Sequence, residues 1–291
     1  MSITRKKHSL ILIAILIAAV IVLASTFICA TQTVAYAAGS DSTAVQTDVG
    51  ADTVATVGDT EYTDIATAWM AANNAGTATV TLYKDVVTSS TLSVDGGKNI
   101  TLDLNGCILK YENETVNGSV ISVYGNFTLT DSEKDLPQGQ KTLHNYNVAD
   151  GLWVFDENGE NTWYGGVLTG GTGLAHATPF ATFYHGGGVC VVSGTFTMNA
   201  GTIAGNKANN GQGGGVCITD NPAEFTMNGG MIAGNKADIG AGGVQVNFVN
   251  GGIGVFTMTG GAITENAGDG VFINNASAEF RISGAPKIIG N

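Results

Sequence analysis

Between Gly187 and Asn291 one phrase of residues is written four times with small changes, and no other feature constrains the fold as strongly. Its first half reads Gly187-Gly188-Val189-Cys190-Val191, then Gly214-Gly215-Val216-Cys217-Ile218, then Gly242-Gly243-Val244-Gln245-Val246, and last Gly270-Val271-Phe272-Ile273. The valines Val189, Val216, Val244 and Val271 stand 27, 28 and 27 residues apart. Its second half reads Phe196-Thr197-Met198-Asn199 with Ile203 and Asn206, then Phe225-Thr226-Met227-Asn228 with Ile232 and Asn235, then Phe256-Thr257-Met258 with Ile263 and Asn266. A looser copy is Phe280-Arg281-Ile282 with Ile288 and Asn291. A period of this length means stacked supersecondary units, each unable to bury its apolar face alone.

Inside each copy, apolar residues flank a polar or small one: Phe196 and Met198 around Thr197, Val189 and Val191 around Cys190, Val244 and Val246 around Gln245. That alternation is the period of a half-buried strand. Glycine and asparagine break each copy into very short strands, so the chain turns several times per copy. Stacking such strands, one turn of chain per repeat, predicts an all-β fold, a right-handed parallel β-helix. The left-handed form needs a strict hexapeptide rhythm, which copies of 24 to 31 residues lack. Equivalent positions then superpose at about 4.8 Å per turn of chain. Phe196, Phe225, Phe256 and Phe280 are expected to form an interior aromatic stack, and Ile203, Ile232, Ile263 and Ile288 an aliphatic one. Asn206, Asn235, Asn266 and Asn291 are expected to form an amide ladder at a bend. Repetition is thereby explained by stacking, without invoking chemistry.

The paired motifs carry a resemblance. Gly187 to Val189, Gly214 to Val216 and Gly260 to Ile263, alternating with Phe196 to Asn199 and Phe225 to Asn228, resemble the repeats of bacterial surface β-helix proteins with a pectin-lyase-like fold. They are also similar to the repeats of chlamydial polymorphic outer membrane proteins, which are adhesins. Upstream, Ile100-Thr101-Leu102-Asp103-Leu104-Asn105-Gly106 and Leu129-Thr130-Asp131-Ser132 resemble the first coils of the same surface proteins. The resemblance implies a secreted or surface-tethered, non-enzymatic adhesin or scaffold. Its implied partners are polysaccharide or host cell-surface glycoprotein. Because pectin-lyase-like folds also include polysaccharide lyases and glycoside hydrolases, a carbohydrate-active enzyme is the alternative.

Residues 1–37 have the form of an export signal. Arg5, Lys6, Lys7 and His8 precede an unbroken apolar run from Leu10 to Ala24, and Ala35-Tyr36-Ala37 offers a small-x-small cleavage site. An extracellular or cell-surface location follows. Extended through Phe27 and Ile28, the run approaches the roughly 20 residues that cross a bilayer. An uncleaved signal anchor is therefore the alternative, and the only membrane contact expected. Residues 38–52, nearly all small or polar, read as a flexible linker. Residues 53–76 read as an N-terminal cap. There Asp64 to Ala72 is a helix with Thr63 or Asp64 at its start, Gly76 past its end, and Ile65, Ala68, Trp69 and Ala72 on one face. Such a helix would cover the open strand edges of the first coil. The β-helix is expected over 77–291, with early strands at 78–83, 91–94, 100–104, 120–123 and 127–130. Between about 136 and 186 the rhythm fails and eight aromatic residues gather, which predicts a protruding insertion. Gly165-Gly166-Val167-Leu168 inside it reads as a degenerate repeat copy.

Acidic residues outnumber basic ones 24 to 12, for a net charge of −12, and such a field repels nucleic acid and anionic lipid alike. The carboxylates in the regular copies, Asp220, Glu224, Asp238, Glu265, Asp269 and Glu279, fall near turns at mostly different phases and read as solvated loop residues. A glycosidase would need two of them converging on one cleft. Gly268-Asp269-Gly270 and Tyr184-His185-Gly186 are similar to fragments of the aspartate and histidine motifs of polygalacturonases, and no more than fragments. Neither calcium-binding nonapeptides nor Cys-x-x-Cys or His-x-x-x-His spacings occur, so no metal or cofactor is expected. Trp153, Trp163, Tyr164 and Tyr184 of the insertion are the candidate ligand-binding residues, because large amphipathic side chains dominate recognition. The alternative is that they pack the insertion onto the coil wall. Outward coil positions such as Thr197, Thr226 and Thr257 are small and repetitive, and are expected to discriminate little. Cys190 and Cys217 occupy equivalent outward positions one coil apart, within disulfide range. A disulfide and a thiol pair packed under the insertion are both open.

Overall fold

The computed structural model describes residues 49–219, 223–247, 254–274 and 278–291. The expected export signal and nearly all of the expected linker lie outside them. Among the described residues no helix is long and apolar enough to cross a membrane.

The fold is all-β with large parallel sheets, and it carries one α-helix among the described residues. The chain visits three sheets in a fixed order. Gly194–Met198 joins a nine-stranded sheet, Thr202–Ala204 a seven-stranded one and Val216–Ile218 a six-stranded one. Ala223–Met227, Met231–Ala233 and Val244–Val246 then repeat the round, as do Gly254–Met258, Ala262–Thr264 and Val271–Ile273. Upstream the same order holds for Thr77–Leu82, Val86–Thr88 and Leu92–Val94, and for Asn99–Asp103, Ile108–Tyr111 and Ile121–Val123. Val86–Thr88 and Ile108–Tyr111 have no counterpart among the expected strands. Three or four residues, one of them Lys110, are too few to show alternation, and parallel neighbours rather than local pattern hold them extended.

Register follows the repeat. Phe127, Phe196, Phe225, Phe256 and Phe280 are successive partners, with ring centroids 5.3, 4.6, 4.8 and 4.8 Å apart. Ile203, Ile232, Ile263 and Ile288 are partners in the seven-stranded sheet, and Val189, Val216, Val244 and Val271 in the six-stranded one. Phenylalanine and methionine point in and threonine out, so one continuous core cluster runs from Ala55 to Ile263. Gly201, Gly230 and Gly261 end the Phe-Thr-Met strands at φ of 83°, 82° and 80°. A Cβ on Gly230 would stand 2.6 Å from the Gly201 carbonyl oxygen, so the corner admits only glycine.

At the bend between the seven- and six-stranded segments the asparagine ladder is present. The Asn206 backbone N–H and Nδ2 both donate to Asn235 Oδ1 at 3.0 Å. Those of Asn235 donate to Asn266 Oδ1 at 3.1 and 2.9 Å. Those of Asn266 donate to Asn291 Oδ1 at 3.2 and 2.8 Å. The second amide proton of Asn235 reaches Ile203 O at 2.9 Å, so a buried polar column is satisfied rung by rung.

Helix α1 (Ile65–Ala75) starts at Asp64, whose carboxylate accepts from Thr67 N at 2.9 Å, and ends at Gly76 with φ 82°. Ile65, Ala68, Trp69 and Ala72 belong to the core cluster. The Trp69 ring lies 6.3 Å from Phe127, and its Nε1 donates to Ser93 O at 2.7 Å.

The expected insertion is two excursions from a single round of chain. The first leaves after Asn126–Thr130 and returns at Val167–Thr169, which pairs with both Ile108–Tyr111 and Thr202–Ala204. It holds a three-stranded antiparallel sheet of Leu143–Ala149, Leu152–Phe155 and Asn161–Tyr164. The second is a hairpin, Leu174–Ala177 with Thr182–His185, which returns at Val189–Val191.

Candidate functional site

The first excursion lies on the outside of the seven-stranded sheet. Its inner face carries Tyr146, Trp153, Phe155 and Trp163, packed on Ile108, Val167, Ala204, Met231 and Ala233. Tyr146 and Trp153 stack at 4.2 Å, and Trp153 and Trp163 stand 5.7 Å apart. Trp153 is 4% exposed; its backbone N–H donates to Gly234 O at 2.9 Å. Any Cβ at Gly234 would run into the indole, and one at Gly205 into the Trp153 carbonyl. Ala204-Gly205 and Ala233-Gly234, just before the ladder asparagines, thus make the flat floor on which Trp153 rests. Trp163 Nε1 donates to Thr202 Oγ1 at 3.0 Å, His144 Nε2 pairs with Gly106 O at 2.7 Å, and Lys236 forms an ion pair with Asp150. Burial, followed by the nearby Glu265 carboxylate, pushes the Tyr146 hydroxyl above its usual range.

The four aromatic candidates do not converge. Trp153 and Trp163 face the wall. Tyr164 is opposite Leu143, one position on from the inward pair His144 and Trp163, and so lies on the outer face of the small sheet. Tyr184 belongs to the hairpin, whose turn carries Phe180 at 97% exposure.

Cys190, Cys217 and Gln245 are in-register partners on the outward side of the six-stranded sheet, and all three are buried. Their cover is the glycine turn of their own repeat. A Cβ on Gly186 would stand 2.7 Å from Cys190 Cα, and one on Gly213 2.8 Å from Cys217 Cβ. Gln245 accepts from Ala241 N and donates to Asn247 Oδ1, each at 3.0 Å, and Asn247 Nδ2 donates to Cys217 Sγ at 3.3 Å. Both cysteines are thiols here, and burial, then the neighbouring Cys190, pushes the Cys217 thiol well up. Neither is expected to react with iodoacetamide in the native state at mildly alkaline pH, because both sulfurs are buried, and at Cys217 the raised pKa also withholds the nucleophilic thiolate. Both are expected to be alkylated after unfolding without reductant. Peptide mass mapping reads both results, and a pair that resists alkylation after unfolding is disulfide-bonded.

His185 ends the second strand of the hairpin, its ring 5.6 Å from His176 and stacked 6.2 Å from Phe183, with Nδ1 lacking a partner among the described residues. Burial first and His176 second hold its pKa down to about 4. A base depressed from 6.5 on folding contributes stability that is full above the unfolded value and lost as pH falls towards the folded one. Relative to His185→Phe, the wild type is expected to lose on the order of 1–3 kcal/mol between neutral pH and pH about 4. Denaturation midpoints at the two pH values measure this, and equal losses in both proteins would show a solvated ring.

The polygalacturonase-like fragments stand apart. His185 precedes the strand of Val189 and Asp269 that of Val271, three strands further along the six-stranded sheet, or roughly 14 Å. Asp238 pairs with Lys207 at 3.4 Å and Glu279 with Arg281, while Glu224 is exposed. Asp220 lies outside the described residues. Among the described residues no three of histidine, cysteine, aspartate and glutamate group as metal ligands. No family model, curated protein sequence or solved structure matches the chain.

The outward side of the nine-stranded sheet is the most regular surface. Thr79, Thr101, Thr128, Thr197, Thr226 and Thr257 are successive in-register partners, continued by Arg281. All six are exposed or half-buried, and their hydroxyls have no hydrogen-bond partner among the described residues. Columns on either side are tied internally. On one, Thr195 Oγ1 donates to Asn126 Oδ1 at 2.7 Å and Asn126 Nδ2 to Asn99 Oδ1 at 2.6 Å. On the other, Thr259 Oγ1 donates to Asn228 Oδ1 at 2.9 Å and Asn228 Nδ2 to Asn199 Oδ1 at 3.0 Å. The sequence placed three of the six threonines outward, with little discrimination expected of them. The other three sit in the irregular early part, where only strand pairing reveals their alignment.

Proposed function

We propose that the three sheets are the walls of a right-handed parallel β-helix capped by α1, and that the protein is an exported, surface-displayed binding scaffold. The cyclic visiting order supports the coil, and the strong right-handed preference of parallel crossovers supports its hand. Its partner is a polysaccharide or a cell-surface glycoprotein, and it binds without turnover. The observation that carries this reading is the face of the nine-stranded sheet, which presents outward threonines in register over six consecutive parallel strands. Stacked repeats offer such extended faces to partners, whereas catalysis needs a few groups converging on a point. Export is supported by the basic and apolar N-terminal residues.

The mature protein, applied to a glycan array and to cultured host cells, is expected to bind saturably. Incubation with pectate, alginate, hyaluronan or chondroitin is expected to release neither unsaturated nor reducing ends. Turnover that Asp269→Asn abolishes would replace the scaffold with a carbohydrate-active enzyme.

A further inference from the structure

We infer that the threonine column is a track for a neutral, extended polysaccharide chain lying along the stacking direction, with about one sugar residue over each strand. This rests on the binding reading above and names its surface and ligand class. The six hydroxyls repeat at the strand spacing, about 4.8 Å. That is close to the length one pyranose adds to an extended, equatorially linked chain, in which successive sugars are turned over, so each strand meets one sugar and alternate threonines meet the same edge of the chain. Each threonine offers a hydroxyl that donates and accepts beside a methyl group, which suits the alternating hydroxyl and C–H edges of a sugar ring.

Charge selects the class of chain. The six central positions carry none, and the flanking columns are mostly amide and hydroxyl, with Asp103, Glu224 and Glu279 as their acidic members. Together with the net charge of −12, this repels uronate and sulfate polymers and leaves neutral ones. The flanking amides are already bonded to one another along the axis, so the rails are fixed before a ligand arrives and little ordering is left to bind it. The unpartnered central hydroxyls are then the groups that exchange water for sugar.

The test uses calorimetric titration of the mature protein with cello-, xylo-, manno- and chito-oligosaccharides from dimer to octamer. For at least one series, affinity is expected to rise with each added residue and to level off near the hexamer. The triple variant Thr128→Val, Thr197→Val and Thr226→Val keeps shape and strand preference while removing three hydroxyls. It is expected to bind the hexamer at least tenfold more weakly with an unchanged melting midpoint. Affinity independent of chain length would overturn the track. So would undiminished binding by the triple variant. If Tyr164→Ala with Tyr184→Ala abolishes binding instead, the scaffold reading stands and the track falls. If the wild type binds no neutral series yet shapes growing ice crystals, the column orders water rather than sugar, and the proposal fails. Binding to host cells or to other glycans with no neutral oligosaccharide bound would likewise leave the scaffold without this track.

Discussion

Replacing Trp153 and Trp163 together by alanine is expected to detach the small antiparallel sheet from the seven-stranded wall while the parallel strands stay paired. Trp153 is almost fully enclosed between Tyr146, Phe155 and the Gly205 and Gly234 floor, and truncating such a ring costs about 3–5 kcal/mol. Trp163 adds the loss of its hydrogen bond to Thr202. The two costs will not simply add, because the rings touch and the first deletion already loosens the second. What else holds the excursion is the Trp153 backbone bond to Gly234 O, the remaining Tyr146 and Phe155 rings, the His144 contact with Gly106 O and an exposed ion pair, the last worth a fraction of a kcal/mol. Hydrogen exchange is the discriminating measurement. Amides of 143–164 should lose their protection, while those of Ala223–Met227 should keep theirs. Unchanged protection across 143–164 would show that the aromatic face is not what seats the excursion.

Asn235→Asp is expected to be the most damaging single substitution in the repeats at neutral pH. The native amide accepts two bonds from Asn206 and donates one each to Ile203 O and Asn266 Oδ1, all of them buried. A carboxylate keeps the two accepted bonds but faces two oxygens with no proton to give. Each orphaned buried acceptor costs about 1–3 kcal/mol, and burial of an unpaired charge adds to that. A loss of about 4 kcal/mol or more follows. The pH dependence has a definite sign. Burial beside two oxygens raises the folded-state pKa of the new carboxyl, so the variant should regain stability as pH falls and protonation restores one donor. Asn291→Asp, at the exposed last rung, should cost far less. Urea midpoints of the two variants at neutral and acidic pH check both statements; equal losses would show that the ladder is not cooperative.

Much of the frame was legible along the chain. Phenylalanine, isoleucine and asparagine at a near-constant period can satisfy themselves only by stacking on their own copies, so their alignment follows from the repeat. Strand type followed from alternation, and α1 from its cap and apolar stripe, although the helix runs on to Ala75. Legibility failed where contacts are not periodic. Nothing local distinguishes an aromatic residue that faces solvent from one that faces a wall. Trp153 is settled by two glycines far along the chain, Gly205 and Gly234, whose missing side chains leave room for its ring. The cysteines show the same limit: alternation placed them outward, yet the turns at Gly186 and Gly213 fold back over them and bury them.

By itself the sequence determined the parallel stacking and the identity of the stacked columns, because both depend on residues repeating at near-equal intervals. Tertiary structure alone decided which surfaces remain open. The two excursions leave from one round of chain, and where they settle depends on side chains and gaps contributed by strands far away in sequence. The same pairing aligned Thr79, Thr101 and Thr128 with the later threonines. Register between distant strands, which no local pattern encodes, turned three repeated residues into a column of six.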